Sequence, residues 1–325
     1  MQILYVVNTF PDHRNPAAEP FVKAQIDSVR KAGAITKVFN VSGPENRLNY
    51  LKAIYKIHNI VQKDCFDIVH GHFVYSGWIA ALQGKVPAVV SFMGSDLIGR
   101  RNKSGEINFH GKIDIYLSQK LSSFIDGVVV KSEEMADLIS RTKRTIVLPN
   151  GVDFEMFRPM PKNVCKKELG FEGDALIVLH IGEKNCSNKG YNIASEAVRS
   201  LSEKIKITLV NLHGVAHERM PLFMNASDVL VLPSLYEGSP NVVKEALACN
   251  LPVVATDVGD IRKVIGQIPG CLIAERTPEA FSKAIEECVG FNRSFTGRQA
   301  IEHLRSDRIA LRLLEFYEDI ISRRK

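Results

Sequence analysis

The sequence has no apolar run approaching the ~20 residues that a membrane-spanning helix requires. Its first residues, MQILYVVNTFPDHRNP, carry no basic n-region, and their apolar stretch is too short for a signal peptide. They read as a first β-strand, and the expected location is the cytoplasm. Cysteines are few and scattered: Cys65, Cys165, Cys186, Cys249, Cys271 and Cys288 form no CxxC or Cys/His cluster. Free thiols are expected, and a zinc site has no support. No RNP-like or basic-helix pattern is present, so nucleic acid is not an expected partner. Neither sign of charge dominates, with 42 Lys and Arg against 36 Asp and Glu. The net charge of +6 suits an anionic small ligand or an acidic lipid surface. Apolar residues at 45% and charged residues at 24% exclude disorder, collagen and coiled coil.

What is present is an alternation of short apolar strands and helix-period stretches. A chain of 325 residues has room for about two domains, or for one large α/β unit. The runs ILYVV (3–7), ITKVFNV (35–41), DIVHGH (67–72), PAVVSF (87–92), GVVVK (127–131) and RTIVLP (144–149) read as buried strands. Helix-period stretches over 21–32, 47–62, 76–84, 111–122 and 132–141 lie between them. The segment PNGVDFEMFRPMP (149–161) has the composition of a turn and linker. The alternation then resumes with ALIVLHIG, KITLVNL, SDVLVLPS, PVVATD and GCLIA, separated by helices at 190–203, 217–225, 240–248 and 278–290. Residues 299–323 read as one or two helices ending in a solvated basic terminus. The expected fold class is α/β, two doubly wound Rossmann-like domains facing across a cleft. The expected domains are 1–155 and 156–300, with a helical segment 301–325 packing back on the first. In such sheets ligands sit at the carboxyl ends of the strands.

SLYEGSPNVVKEALACNLPVVATDVGD (234–260) lies between two strands and must be a turn and helix of a βαβ unit. Ser239 is expected as the N-cap and Pro240 at the first helical position. The backbone N–H groups of Asn241, Val242 and Val243 then lack intrahelical partners, and with the helix dipole they make a site for phosphate. Gly238 removes a side chain that would block close backbone approach. Glu237 and Glu245 flank this anion site, the second roughly 7–8 Å along the axis from Pro240 at 1.5 Å per residue. That offset fits a nucleotide whose ribose hydroxyls meet Glu245 while Glu237 faces a sugar on the distal phosphate. A solvated helix face remains the alternative for the two carboxylates.

EGSPNVVKEALACNLPVVATDVGD resembles the E-x7-E signature region of the retaining glycosyltransferases of family 4, which have the GT-B fold. IVLPNGVD (146–153), DIVHGHF (67–73), SFMGSDL (91–97), NASDVLVLPS (225–234) and the FV-x2-Q pattern (21–25) agree, in the correct order. The resemblance is closest to bacterial cell-surface polysaccharide transferases of the teichuronic-acid type. It implies that Glu245 binds the nucleotide ribose and that Glu237 orients the donor sugar. Gly238, Ser239, Pro240, Asn241, Val242 and Val243 then serve phosphate and sugar.

The family also places an Arg and a Lys in a GR-x4-KG-like loop that neutralises the diphosphate. Here the loop is IGEKNCSNKGYN (181–192), beginning at Gly182, with Glu183 where Arg is usual. Lys189 matches the family Lys. Lys184 stands at the usual separation to replace the Arg, with a surface role as the alternative, and as a point charge it orients phosphate more loosely. The resemblance implies that His72 hydrogen-bonds the donor sugar, although a strand His is more often simply packed. Gly94, Ser95 and Asp96 are expected on the acceptor side, with Asp96 as a helix N-cap an equal reading. Ala18, Glu19 and Pro20 stand where relatives often have a glycine pair. No DxD-like pair ends a strand, so no metal and no cofactor are expected.

The resulting expectation is a retaining glycosyltransferase. It moves a sugar from a nucleoside diphosphate sugar, UDP-sugar first, to an acceptor hydroxyl on a sugar or lipid-linked acceptor. Glu237, His72 and Lys189 are the catalytic set. Arg14, Arg100, Arg101 and Lys103 are candidates for peripheral contact with an anionic membrane. The rival readings are a catalytically degenerate nucleotide-sugar-binding partner subunit, motivated by Glu183, and a sugar-nucleotide epimerase.

Overall fold

A computed structural model describes residues 1–10, 19–41, 47–102, 106–139, 144–290 and 295–324. The chain divides into two compact units, Met1–Gly151 with Ser306–Lys325, and Val152–Arg305. The divide thus falls after Gly151 rather than at 155, and the return falls at Ser306 rather than at 301.

The elements run β1 (Gln2–Val7), α1 (Pro20–Lys31), β2 (Ile35–Asn40), α2 (Arg47–Lys63), β3 (Ile68–His72), α3 (Val74–Leu82), β4 (Ala88–Ser91), α4 (Ser95–Ile98), α5 (Phe109–Phe124), β5 (Gly127–Val130), α6 (Glu133–Asp137) and β6 (Thr145–Val147). The second unit adds α7 (Lys162–Glu168), β7 (Leu176–Ile181), α8 (Tyr191–Ser202), β8 (Ile207–Leu212), α9 (Met220–Ala226), β9 (Val229–Leu232), α10 (Asn241–Ala248), β10 (Val253–Ala255), α11 (Ile261–Ile265), β11 (Leu272–Ile273), α12 (Pro278–Val289) and α13 (Gly297–Ala300). The last helix, α14 (Ser306–Arg324), belongs to the first unit.

Both sheets are parallel, ordered β2-β1-β3-β4-β5-β6 and β11-β10-β9-β7-β8. Covered on both faces, a parallel strand needs apolar residues on both, which is why Ile3–Val7 and Val229–Leu232 are unbroken runs at 0% exposure. Burying each such Val, Leu or Ile contributes roughly 1.5–3 kcal/mol. The helix expected over 132–141 is shorter, spanning Glu133–Asp137, and residues 140–143 lie outside the described residues. Among the described residues no helix is long and apolar enough to cross a membrane.

Helix α14 packs against α1 and inserts Tyr317, at 0% exposure, beneath the sheet. The Tyr317 hydroxyl meets His70 Nδ1, and it lies 3.3 Å from the Tyr5 hydroxyl. The basic end is not simply solvated. Arg324 reaches Asp126 Oδ2 at 3.3 Å, and Arg323 reaches Asp319 at 2.7 Å.

Candidate functional site

The Glu237 turn joins β9 to α10 and is held from two sides. The first is the loop between β7 and α8. There Asn188 Oδ1 accepts the Tyr236 N–H at 3.0 Å, its Nδ2 donates to the Tyr236 carbonyl at 3.2 Å, and its own carbonyl accepts the Leu235 N–H at 2.9 Å. Gly190 makes this approach possible. Its φ is +65°, and a Cβ there would lie 2.3 Å from the Pro233 carbonyl oxygen. Arg276 ties the same two segments by donating to the Pro233 and Ser187 carbonyls at 3.0 and 2.7 Å. The second side is the segment after β10. Gly259, at φ +58°, lies so close that a Cβ would meet the Gly238 carbonyl oxygen at 2.4 Å.

These contacts bring Lys189 and Glu237 together. Lys189 Nζ donates to Glu237 Oε1 at 2.6 Å, and Ser234 Oγ donates to the same oxygen at 2.8 Å. Both partners keep some exposure, 31% for the Lys189 side chain and 14% for Glu237. Gly182 lies against this lysine, since a Cβ there would meet Lys189 Cβ and Cγ at 2.8 Å. The Lys189 carbonyl accepts from His180 Nε2 at 2.9 Å, which fixes its backbone. Lys184 goes elsewhere. Its ammonium sits 5.1 Å from the centroid of the Tyr191 ring, at the start of α8.

The expected cap is corrected by the structure. Pro240 occupies the N-cap position and α10 starts at Asn241, with no side-chain cap. The Ser239 hydroxyl is engaged inward, donating to Asp260 Oδ2 at 2.5 Å and accepting from Lys244 Nζ at 2.6 Å. Lys244 is fully buried. Burial pulls its ammonium below the usual lysine range while Asp260 and Glu245 oppose that, and burial pushes the Asp260 carboxyl up against the pull of Lys244. The Asp260 N–H also donates to the Gly238 carbonyl at 3.2 Å. This chain of three side chains, with Lys244 and Asp260 buried and Ser239 half-buried between them, pins the turn whose backbone leads into α10. The first-turn N–H groups of a helix have no intrahelical acceptor, and the dipole adds partial positive charge there.

Further along α10, Glu245 Oε1 meets His217 Nε2 at 2.9 Å, with side chains 12% and 26% exposed. His217 packs against Phe157, the ring centroids 5.2 Å apart. Burial works against its charge, but the Glu245 carboxylate, with Glu218 and Asp153 adding to it, outweighs that, and the imidazole is held above its usual range.

His72, Gly94, Ser95 and Asp96 belong to the other unit. His72 ends β3 at 0% exposure, stacked on His70 with centroids 4.7 Å apart. Among the described residues neither of its ring nitrogens has a hydrogen-bond partner. Burial, with Lys131 nearby, lowers its pKa to about 3, so the ring is neutral. The residue after it, Phe73, is strained at φ 69°.

Asp96 is not an N-cap: Gly94 holds that position, and Asp96 lies inside α4. Its Oδ1 accepts the Met93 and Gly94 N–H groups, each at 3.0 Å. Burial raises its pKa to about 6 against those hydrogen bonds. Ser95 and Asp96 line a cavity of ≈ 690 Å³, together with Glu19, Tyr50, Tyr75, Arg100 and Asp114 among others. Glu19 adopts the left-handed conformation, φ 40°. Arg100 Nε bonds Asp114 Oδ2 at 3.0 Å while its side chain stays 58% exposed, and Arg101 is half-buried. Residues 11–18, including Arg14 and Ala18, and Lys103 lie outside the described residues.

Sequence reasoning missed Lys244, Asp260, His217 and the Tyr50–Tyr75 wall. Lys244 had a signal: it shares a helix face with the apolar Leu247 and Ala248 by the i+3 and i+4 spacing. A lone histidine in a connecting segment, and two tyrosines on separate helices, carry none.

Two family models match the chain: Glycosyltransferase Family 4 over residues 5–156, and Glycosyl transferases group 1 over residues 175–290. The protein named as the teichuronic acid biosynthesis glycosyltransferase TuaC of Bacillus subtilis is 28% identical over 250 residues, 69% of this chain and 62% of that one. The chain therefore spans less than two thirds of that relative. The UDP-Gal:alpha-D-GlcNAc-diphosphoundecaprenol alpha-1,3-galactosyltransferase of Escherichia coli is 26% identical, covering 80% of this chain and 74% of its own. Among solved structures, Anabaena Alr3699/HepE in complex with UDP-glucose superposes with a TM-score of 0.71 at 16% identity, covering 98% of this chain and all of that one.

Proposed function

The chain belongs to the glycosyltransferases of group 1 and family 4, and from that premise we propose that it transfers a sugar from a nucleoside diphosphate sugar to an acceptor hydroxyl, with retention of anomeric configuration and without a metal ion. The carrying observation is the Lys189–Glu237 pair at 2.6 Å, beside the turn that leads into α10. An arriving diphosphate competes with Glu237 for the Lys189 ammonium and takes the first-turn N–H groups of α10. The Glu237 carboxylate, released, accepts from hydroxyls of the donor sugar.

As the glycosidic bond breaks, negative charge grows on the leaving diphosphate. Lys189 and the helix N-terminus are already in place to stabilise it. Gly238, Ser239, Pro240 and Asn241 supply the backbone approach, and Glu245, steadied by His217, takes the ribose hydroxyls. Lys184 is an auxiliary cation. His72 offers an imidazole whose unpartnered nitrogens a sugar hydroxyl would satisfy.

UDP is the first choice of nucleotide, supported by the UDP-glucose complex of the Anabaena neighbour. The acceptor is a sugar or lipid-linked sugar of bacterial surface polysaccharide synthesis, supported by the Bacillus and Escherichia relatives. Peripheral contact with anionic lipid draws support from α5, which exposes Phe109, Lys112, Tyr116 and Lys120.

The test is a thermal-shift screen of UDP-, GDP- and ADP-sugars, since a bound donor raises apparent stability by mass action. It is followed by NMR assignment of the product anomer in the presence of EDTA. A shift with one nucleotide class and a product of unchanged anomeric configuration are expected. An inverted product, or transfer abolished by EDTA and restored by a divalent cation, would contradict the retaining, metal-free reaction.

A further inference from the structure

A carboxylate that reads ribose beside a diphosphate faces an electrostatic difficulty. Glu245 lies four residues into α10 from Asn241, roughly 6 Å along the axis from the first helical residue. Its charge repels the same anion that the helix N-terminus attracts. Glu237 meets that difficulty with Lys189 at 2.6 Å. The lysine next to Glu245 does not serve in the same way, since Lys244 is fully buried and turns its ammonium to Ser239 Oγ.

The group that meets Glu245 is His217, with Nε2 2.9 Å from Oε1. An ionised carboxylate only accepts, so Nε2 carries the proton of this hydrogen bond whether the ring is neutral or charged. The contact occupies one carboxylate oxygen and leaves the lone pairs of the other to a ligand hydroxyl.

The imidazole is itself fixed. It packs on Phe157, which is 1% exposed and whose carbonyl accepts from Arg298 Nη1 at 2.6 Å. The same nitrogen donates to the carbonyl of Ala248, the last residue of α10, at 2.9 Å. Asn225 of α9 holds the chain beyond Phe157, accepting the Met160 N–H at 2.7 Å and donating to the Arg158 carbonyl at 3.0 Å. A closed circuit thus runs from the end of α10 through Arg298, Phe157 and His217 back to Glu245. Burial disfavours the charged ring, but three carboxylates oppose it: Glu245 from α10, Glu218 from the same turn as His217, and Asp153 from the segment before Phe157. Arg298 stays charged throughout, so His217 is the member of the circuit that changes charge near neutrality.

We propose that His217 is a positioning residue for nucleotide binding: it aims one oxygen of Glu245 at the ribose and, as imidazolium, cancels the carboxylate's charge so that a diphosphate lies alongside without repulsion. The proposal rests on the reading above in which Glu245 takes the ribose hydroxyls and α10 the diphosphate. Donor binding is then coupled to one proton. Affinity for a nucleoside diphosphate sugar is greatest with His217 charged and falls as the pH climbs through its folded value, while a nucleoside, which brings no negative charge, shows no such fall.

The experiment is calorimetric titration of the full chain and three variants. UDP, GDP and ADP are each compared with their 2′,3′-dideoxy analogues, and the nucleotide that binds tightest is carried forward. In the parent protein the ribose form is expected to bind about tenfold or more tightly than the dideoxy form, a ratio in which base and phosphate cancel. Glu245→Ala reduces that ratio to about twofold or less, and His217→Ala to about threefold or less. His217→Gln, which keeps an N–H donor without the charge, restores it to within about twofold of the parent. The glucose diester of the same nucleotide, which has no phosphate proton to lose, is then titrated between about pH 6 and pH 8.5. Its affinity for the parent falls about threefold across that range, the scale of a unit charge some 8 Å from a diphosphate in a watery medium. The fall is absent in His217→Gln and absent for the nucleoside; thermal melts confirm that each variant folds.

The proposal is overturned if His217→Ala keeps the parent's ratio, if the parent shows no fall with pH, or if His217→Gln shows the same fall. The Glu245 variant separates it from the reading beneath it. A ratio that survives in Glu245→Ala defeats the ribose assignment and the proposal together. A ratio lost in Glu245→Ala but kept in His217→Ala defeats the proposal alone.

Discussion

Around the Glu237 turn most charges are paired inside the protein, with Asp260 Oδ1 the exception among them, whereas the cavity of the first unit sets one ion pair, Arg100–Asp114, beside a carboxylate oxygen of Glu19 that has no partner among the described residues. Lys189 sits on Glu237, Lys244 and Asp260 share the Ser239 hydroxyl, and His217 holds Glu245. Glu19, by contrast, keeps a buried carboxyl oxygen without a partner among the described residues, while Asp96 accepts the Met93 and Gly94 N–H groups. A paired site pays little for its charges when empty and exchanges partners when an anion arrives. The two units thus differ in how their charges are met, even though both are parallel sheets flanked by helices.

That contrast is most exposed at Lys189. Replacing Lys189 or Glu237 by Ala is expected to lower the transfer rate about 10²–10³-fold, the scale on which a pre-organised charge-stabilising group acts. Thermal melts close to the parent protein would show that folding is intact.

Lys244→Met removes the buried cation and leaves Asp260 to face burial alone. A loss of about 3 kcal/mol is expected from urea unfolding, because breaking one side of a buried charge pair costs that much. Adding Asp260→Asn to the same chain recovers much of it; no recovery would mean that Lys244 acts through packing instead.

His72 sharpens the comparison through pH. Its folded pKa, about 3, lies below the ordinary imidazole value of 6.5. A depressed imidazole contributes stability that is full above pH 6.5 and is lost as the pH falls toward the folded value. The slope approaches about 1.4 kcal/mol per pH unit in that window. Unfolding free energies measured between pH 6.5 and 4.5 should lose that part of their slope in His72→Gln.

His217 has the opposite sign and the smallest effect. Its folded pKa is raised, so its contribution is present below pH 6.5 and disappears as the pH climbs through the folded value. His217→Gln should cost about 1 kcal/mol at pH 6 and progressively less at alkaline pH. A cost independent of pH would assign His217 to packing against Phe157 alone.

Much of this architecture was legible in the residues. Unbroken runs such as Ile3–Val7 can only be strands buried on both faces, and the strand, turn and helix around Glu237 followed from Gly238, Pro240 and the apolar spacing after them. The cap was misread because Ser239 has two competing uses. A serine before a helix ordinarily caps it, but here Lys244 and Asp260 claim the hydroxyl, and those partners lie five residues and a strand away. His217 and the Tyr50–Tyr75 wall depend on tertiary approach between segments far apart in the chain, which local pattern does not encode. Glu19 stood out in the sequence only as a departure from a glycine pair, and its place in the cavity lining was not legible there.

The central claim is that the N-terminus of α10 and Lys189 together grip a diphosphate. Calorimetric titration of UDP-glucose and of uridine into the full chain and into Lys189→Ala tests it most directly. The account predicts that the variant binds UDP-glucose at least about tenfold more weakly while uridine, which has no phosphate, binds both proteins alike. Unchanged affinity for UDP-glucose in Lys189→Ala would contradict it.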